Sequence, residues 1–298
     1  MTHERALPPP TDTPRPPRPL AEWKTRPRIL ISNDDGIEAA GLLALRQALE
    51  VLGDTYVMAP EVNQSAVGHA KTLRRSLRVR DRTLADGSTG SAVDGSPTDA
   101  VSVALLGYFG VGFDLMASGI NEGANLAEDV TYSGTVGAAM EAALNGVPAL
   151  AMSRGWEAEP DYELAGEVAQ LAARNILECG LGDRELLNVN VPAVGRDELE
   201  GMDIARMGKR VYTEYLIERT DPRGQPYYWF GGSAPSGDAE SGTDIDAVRR
   251  RRVSITPIHL DLTDYEEMKR LRGWDWDLAP GVGQPAVVSR SGGDSEQA

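Results

Sequence analysis

The chain has 298 residues, of which 41% are hydrophobic, and carries a formal net charge of −15 at pH 7. The negative charge argues against a nucleic-acid groove, because affinity for polyanions comes mostly from neutralising phosphates with Lys and Arg. No apolar run approaches the ~20 residues of a membrane span, and the single cysteine and the absence of a secretory signal suggest a protein of the cytoplasm without a membrane segment.

The two ends of the chain differ in composition from the middle. Residues 1–24 contain seven of the 19 prolines, and this composition predicts a disordered Pro-rich tail. Residues 276–298 are predicted to form a flexible C-terminal tail.

Between these tails, short apolar runs alternate with amphipathic stretches. In chain order, the pattern predicts strands at 28–32, 55–60, 113–120, 147–153 and 186–192, and helices at 38–51, 97–107, 134–146 and 162–180. Strands that alternate with helices are typical of a mostly parallel sheet covered by helices on both faces. We therefore expect an α/β core that spans residues 25–200.

After about residue 200 the pattern changes. Residues 206–232 are predicted to form a hairpin with its turn near Gly224, and 242–263 a short helix followed by a strand. We assign 201–275 to an extension that packs back on the core and serves oligomerisation. Its aromatic cluster, Tyr227 to Trp229, is as typical of an interface as of a core.

Two adjacent carboxylates, Asp34 and Asp35, directly follow the first predicted strand. They repel each other, and they converge only if the chain turns, which Gly36 permits. A hard divalent cation would offset their repulsion. The alternative is a surface turn in which one aspartate caps a helix.

Polar residues also follow the later strands, and ligands of parallel sheets bind outside the carboxyl ends of strands. The second strand is followed by Asn63, Gln64, Ser65 and His69, the third by Asn121, and the helix at 134–146 is opened by Ser133, Gly134 and Thr135. Asparagine offers a metal a neutral oxygen, and a helix N-terminus offers an anion free N–H groups. Ordinary loop polarity and simple helix capping are the alternatives. Together the residues predict a metal-assisted phosphate site.

Several common catalytic motifs are missing. The sequence contains no G-x-x-x-x-G-K-[ST], no G-x-G-x-x-G after the first strand and no G-x-S-x-G. These absences argue against a P-loop, nicotinamide binding and a serine esterase. Of the three histidines, only His69 is well placed, which excludes a His-rich zinc site.

Seven stretches in the family's order resemble the SurE family, the survival-protein nucleotidases also described as acid phosphatases. The resemblance spans about 28–263 and is carried by "ILISNDDGIEAAG", "VMAPEVNQSAVGHAKTL", "DGSPTDAVSVAL", "DLMASGINEGANL", "YSGTVGAAMEAAL", "LLNVNVP" and "GTDIDAVRRRRVSITPIHLDLT". It implies a three-layer αβα Rossmann-like core and a C-terminal β-hairpin that is exchanged between subunits, which gives a homodimer or homotetramer.

The resemblance also implies the site. One divalent ion per subunit, Mg²⁺ or Mn²⁺, is expected on Asp34, Asp35, Ser65 and Asn121. The phosphate is expected beside Ser133, Gly134 and Thr135. Asn33 is expected to bind the substrate and to act in catalysis together with the two aspartates, and His69 is a candidate donor of a proton to the leaving oxygen. One departure is Ala66, where many members carry glycine.

The implied activity is hydrolysis of nucleoside monophosphates to nucleoside and phosphate by metal-activated water. This is a 5′-nucleotidase activity, with 3′-nucleotides left open. Adjacent aspartates favour direct attack by water, because a phospho-enzyme of the haloacid-dehalogenase type would want Asp-x-Asp. The alternatives are a broader acid phosphatase or exopolyphosphatase, and a nucleotide-binding regulatory protein without turnover.

Overall fold

The structure is a computed structural model, and it describes residues 7, 10, 14–156, 161–211, 215–231, 236–238, 240–274 and 276. The chain divides into two compact units, Met1–Leu260 and Asp261–Ala298. This division falls inside the segment 201–275 that the sequence analysis treats as one extension. No helix among the described residues is long and apolar enough to cross a membrane.

The described strands and helices alternate over the first two thirds of the chain. The strands are β1 Arg28–Ser32, β2 Asp54–Pro60, β3 Val79–Thr83, β4 Thr89–Val93, β5 Leu115–Glu122, β6 Ala149–Arg154, β7 Glu185–Val191, β8 Met202–Ile204, β9 Lys209–Val211, β10 Tyr215–Thr220, β11 Pro226–Gly231, β12 Ser236–Asp238 and β13 Val253–His259. The α-helices are α1 Ala40–Leu49, α2 Pro97–Val103, α3 Gly134–Leu144, α4 Glu163–Cys179, α5 Asp244–Arg249 and α6 Tyr265–Leu271.

Nine of these strands form one sheet in the order β3-β4-β2-β1-β5-β6-β7-β13-β8. The neighbours from β4 to β7 are parallel, whereas β3 is antiparallel to β4 and β13 is antiparallel to β7. Helices α1 and α4 cover one face, where Ile29 and Ile31 of β1 lie. Helices α2 and α3 cover the other face, where Leu30 lies. The mostly parallel three-layer α/β fold predicted from the sequence is therefore confirmed.

The predicted strands and helices of the core all occur, with shifts at their ends. Helix α2 begins with a capping box between Ser96 and Asp99 and has Pro97 in its first turn. It continues as a π-helical turn over Ala104–Tyr108, where Gly107 takes φ 110°. The pattern did not predict β3 or β4. Strand β3 lies at the edge of the sheet, exposes charged residues and lacks an apolar run, and β4 is a short strand that begins with Thr, Gly and Ser.

Residues 14–24 differ from the expected disordered tail. The guanidinium of Arg15 forms an ion pair with Asp114 at 2.5 Å and lies over the ring of Trp23 at 4.4 Å. Leu20 and Trp23 pack against the core cluster that contains α4, and the Leu20 N–H donates to Glu178 at 3.1 Å. Ion pairing and apolar packing therefore order this segment in spite of its composition. Most of residues 1–13 and all of 277–298 lie outside the described residues.

Two small antiparallel ribbons lie outside the large sheet. Strands β10 and β11 pair with each other from Tyr215 opposite Gly231 to Thr220 opposite Pro226, and Gly224 takes φ 82° in the turn. Strands β9 and β12 form the second ribbon. The predicted hairpin, short helix and following strand are thus present. In the second unit, α6 is capped by Asp264, whose side chain accepts from the Glu267 N–H at 2.8 Å.

Candidate functional site

The two candidate aspartates follow the end of β1, in the middle of the sheet. Strand β1 lies between β2 and β5, both parallel to it. Helix α1 packs on one face of the sheet, and α2 and α3 pack on the other. A crevice outside the carboxyl ends of parallel strands, where successive connections leave on opposite faces, is the usual ligand site of this architecture.

A tight turn follows β1 and carries the two aspartates. The Asn33 side chain donates to the Gly36 carbonyl at 2.9 Å and accepts from the Gly36 N–H at 3.2 Å. Gly36 takes φ 103°, and a Cβ there would lie 3.1 Å from the Val62 carbonyl carbon. The turn therefore depends on glycine, and the Asn33 side chain shapes it. Contact of Asn33 with substrate stays a prediction.

Asp34 is buried, with 3% of its surface exposed, and α3 holds its carboxylate. The Thr135 hydroxyl and the backbone N–H groups of Gly134 and Thr135 donate to it. Burial nevertheless raises the pKa of Asp34, because a charged group loses water. The N-terminus of α3 thus orients an aspartate, as a helix dipole favours a negative charge at this end.

Asp35 is half-buried and is held by the loop after β2 and the end of β5. The Asn63 amide donates to its Oδ1 at 3.2 Å, and the Glu122 backbone N–H also donates to it. Burial, and then the charges of Asp34 and Glu122, raise the pKa of Asp35 to about 6. The strongest charges that act on Asp35 are thus negative, and a bound cation would relieve them.

The other two candidate ligands lie on the segments that hold the aspartates. Ser65 follows Asn63, whose Oδ1 accepts from the Ser65 N–H at 2.9 Å. The neighbouring residue ties this loop to the aspartates, because the Gln64 N–H donates to the Asp34 carbonyl at 2.7 Å. The side-chain N–H of Asn121 donates to the Gly123 carbonyl at 2.7 Å, which leaves Oδ1 as the candidate ligand atom.

This donor set fits a hard divalent cation. Two carboxylates that repel each other, an amide oxygen and a hydroxyl oxygen are ligands that Mg²⁺ and Mn²⁺ prefer. Among the described residues, no group of three or more His, Cys, Asp and Glu side chains is arranged to hold a metal. The candidate site is therefore one with two acids completed by neutral oxygens.

His69 lies on the same loop but faces another part of α3. Its Nε2 is 3.0 Å from Oε2 of Glu141. Glu141 is six residues beyond Thr135, which is about 9 Å along a helix. The ring is thus directed along α3 toward Glu141, and its predicted contact with substrate stays a prediction.

Comparisons with known proteins identify the family of this chain. The family model described as Survival protein SurE matches residues 29–214, which include every candidate metal ligand. The chain belongs to the SurE family. It is 47% identical over 253 residues to "5'-nucleotidase SurE" of Herpetosiphon aurantiacus, with 84% of this chain and 99% of the relative covered. The corresponding protein of Pelobacter propionicus is 48% identical over 248 residues, with coverage of 83% and 98%.

A solved SurE structure has the same fold. The crystal structure of the SurE protein from Aquifex aeolicus matches with a TM-score of 0.70 and 39% identity, and covers 83% of this chain and 98% of that one. The Rossmann-like SurE architecture implied by the sequence resemblance is thus confirmed.

Three residues that contact the candidate site residues or lie next to them were not predicted from the sequence. Tyr162 donates its hydroxyl to Glu122, next to Asp35, and burial followed by this bond raises the pKa of Tyr162. Glu141 binds His69. Glu141 follows Gly134 by seven residues, so helical periodicity could have placed it on the same face. No local pattern connects Tyr162 to Glu122, because they are 40 positions apart.

Proposed function

We propose that this chain is a divalent-metal-dependent 5′-nucleotidase that hydrolyses nucleoside monophosphates to nucleoside and phosphate. The observation that carries the proposal is the pair Asp34 and Asp35. Both carboxylates are oriented by donors from other elements, and burial, followed by the charges of Asp34 and Glu122, raises the pKa of Asp35. The relatives from Herpetosiphon aurantiacus and Pelobacter propionicus carry the name 5'-nucleotidase.

The ligands we assign to one Mg²⁺ or Mn²⁺ per subunit are Asp34, Asp35, Ser65 and Asn121. When bound, such an ion polarises a phosphoryl group and makes a water molecule more acidic. The hydrogen bonds from α3, Asn63 and Glu122 keep both carboxylates in place before substrate arrives. Preorganisation of this kind avoids rearrangement of charges during the reaction.

The phosphate side of the site is assigned to the start of α3. Ser133 caps this helix, because its hydroxyl oxygen accepts a hydrogen bond from the Val136 N–H at 3.1 Å. The positive end of the helix dipole lies here. A dianionic phosphate beside Ser133, Gly134 and Thr135 would gain from this field. If His69 protonates the leaving oxygen, it must use Nδ1, because Nε2 is bound to Glu141.

The first test is release of inorganic phosphate from a panel of substrates. The purified protein is assayed with 5′- and 3′-nucleoside monophosphates, p-nitrophenyl phosphate and polyphosphate, after EDTA treatment and after return of Mg²⁺ or Mn²⁺. We expect hydrolysis of 5′-monophosphates that EDTA abolishes and the metal restores. Equal rates on all phosphomonoesters would instead support a broad phosphatase. Nucleotide binding without phosphate release would support a regulatory protein.

We also propose that the β10–β11 hairpin is covered by another copy of this chain, in a homodimer or homotetramer. Leu216 and Phe230 are paired across the hairpin, and Phe230 is 85% exposed. Tyr228 on the same face and Trp229 on the opposite face are also exposed. A two-stranded ribbon is marginally stable alone, and apolar side chains on both of its faces favour burial against a partner.

Replacing Phe230 by Glu is expected to reduce the mass of the particle in solution. A charge at the centre of an apolar contact would lose water on assembly, which costs free energy. Light scattering after size-exclusion chromatography measures the mass, and Arg223→Glu in the exposed turn is the matched control. An unchanged mass for Phe230→Glu would contradict the role of the hairpin in assembly.

A further inference from the structure

One face of α3 contacts both loops of the candidate site, the loop after β1 and the loop after β2. Gly134, Gly137 and Glu141 are spaced by three and four residues, so they lie on one side of the helix. A Cβ at Gly134 would lie 2.7 Å from the Asp34 Cβ, and a Cβ at Gly137 would lie 2.8 Å from the Gly68 carbonyl oxygen. The two glycines thus allow the loops after β1 and β2 to contact the helix closely.

Glu141 is the polar residue that continues this face, and its carboxylate is buried, with 5% of the residue exposed. Oε2 is 3.0 Å from His69 Nε2, and Oε1 accepts from Lys71 Nζ at 2.9 Å. The Ser102 hydroxyl of α2 donates to Oε1 at 2.6 Å. The His69 hydrogen bond, with those from Ser102 and Lys71, lowers the pKa of Glu141 to about 2 against the effect of burial.

Two of the residues that bind Glu141, His69 and Lys71, belong to the loop that carries Ser65. This loop is fixed near the aspartates by the Gln64 N–H, which donates to the Asp34 carbonyl at 2.7 Å. Its middle is fixed by the Gly68 N–H, which donates to the Tyr132 carbonyl at 2.8 Å. Between these bonds, Ala66 and Gly68 take φ 59° and 62°, a conformation that few non-glycine residues adopt. Such a loop needs support from outside to keep one conformation.

We propose that Glu141 is a positioning residue that holds the loop after β2 on α3, and so places Ser65 to bind the metal and Asn63 to orient Asp35. This inference rests on the proposed metal site. Glu141 acts through His69 and Lys71 and contacts neither the metal nor the substrate. Loss of a buried carboxylate with this role should therefore lower the metal affinity more than loss of a residue that contributes equally to stability but does not contact the loop.

The test compares Glu141→Gln with Ser102→Ala. Both changes remove a hydrogen bond at the same buried carboxylate, but Ser102 belongs to α2 and does not bind the loop. Calorimetric titration of the metal-free proteins with Mn²⁺ is expected to show about 10-fold to 100-fold weaker binding for Glu141→Gln, the range for loss of a group that supports metal ligands. Ser102→Ala should bind Mn²⁺ like the wild type.

A second measurement needs no metal. Hydrogen exchange of a peptide that spans residues 61–70 reports on the Gln64 and Gly68 amides, which are hydrogen-bonded in the structure. Exchange in the metal-free protein should be faster in Glu141→Gln than in Ser102→Ala, because local opening of the loop becomes easier. Equal exchange and equal Mn²⁺ affinity in the two variants would overturn the proposal.

Lys71→Gln keeps the test decisive if Glu141→Gln does not fold. Lys71 is partly exposed and belongs to the loop itself. Its replacement should weaken Mn²⁺ binding and speed exchange to a smaller extent than loss of Glu141, and wild-type values for both would overturn the proposal. These readouts are separate from hydrolysis. A wild-type protein that binds Mn²⁺ without releasing phosphate would refute the nucleotidase proposal and leave the role of Glu141 testable.

Discussion

Replacing Asp34 by Asn is expected to abolish metal-dependent phosphate release without loss of the fold. Loss of a group that only supports a metal ligand costs about 10-fold to 100-fold in affinity or activity, so loss of a charged ligand should exceed ~100-fold. The fold should remain because Asn is of similar size and its oxygen can still accept from the Thr135 hydroxyl, which donates to Asp34 in the wild type.

The same change should leave the metal-free protein at least as stable as the wild type. Burial raises the folded-state pKa of Asp34 above its ordinary value. The raised pKa means that stability is highest below the unfolded pKa and decreases as the pH rises through the folded pKa. The charge on this buried carboxylate therefore opposes folding, and a neutral amide removes that cost.

Thermal unfolding with and without Mn²⁺ separates these two effects. Wild-type protein should gain melting temperature with Mn²⁺, because a ligand that binds the native state stabilises it, and Asp34→Asn should show little gain. Asp81→Asn, in the exposed strand β3, is the matched control. An Asp34→Asn protein that hydrolyses nucleoside monophosphates at the wild-type rate would remove Asp34 from the metal site.

The core could be predicted from the sequence because burial leaves a local pattern. Strand β1 is apolar on both faces, since Ile31 packs toward α1 and α4 whereas Leu30 packs toward α2 and α3. Such runs, alternating with amphipathic helices, indicate a parallel sheet without knowledge of any contact. Edge strand β3 lacks this pattern because it carries Arg80, Asp81 and Arg82.

The position of the aspartates could also be predicted, but their surroundings could not. Because Asn-Asp-Asp-Gly directly follows β1, two carboxylates lie beyond the carboxyl end of this strand, whichever helix lies above them. The partners of the site are set by tertiary contacts between distant segments. Thr135 is 101 positions from Asp34, and Glu141 is 72 positions from His69. The spacing of residues within α3 predicts which of them share a face of the helix. It does not predict which loop this face contacts, because that contact depends on the packing of the whole sheet.

Composition was a poor guide where a few specific contacts decide the structure. The Pro-rich segment before β1 has little apolar surface, which favours disorder. Arg15 nevertheless binds Asp114 through its side chain and its backbone N–H, and its guanidinium lies over Trp23. A partly buried ion pair with several hydrogen bonds is stronger than an exposed pair, and a count of residue types does not reveal it.

Replacing Gly134 by Ala is expected to weaken metal binding although alanine favours helices. In a helix interior, alanine is preferred over glycine by about 1 kcal/mol, so propensity alone predicts a neutral or stabilising change. At Gly134, however, a Cβ would lie 2.7 Å from the Asp34 Cβ and 2.9 Å from its Oδ2. To relieve this clash the Asp34 side chain must move, because the alternative is displacement of α3 from the sheet.

Gly166→Ala in α4 separates propensity from this steric effect. A Cβ at Gly166 would lie 3.4 Å from the Ala48 Cβ, which is ordinary contact, so the control should keep wild-type stability and activity. For Gly134→Ala we expect normal helical circular dichroism, Mn²⁺ affinity reduced by about 10-fold or more, and a matching decrease in kcat/KM, because displacement of a ligand by less than 1 Å is costly. Wild-type Mn²⁺ affinity in a folded Gly134→Ala protein would show that Asp34 can move away from α3 without harm. The close approach of the first turn of α3 to the aspartate would then have no part in metal binding.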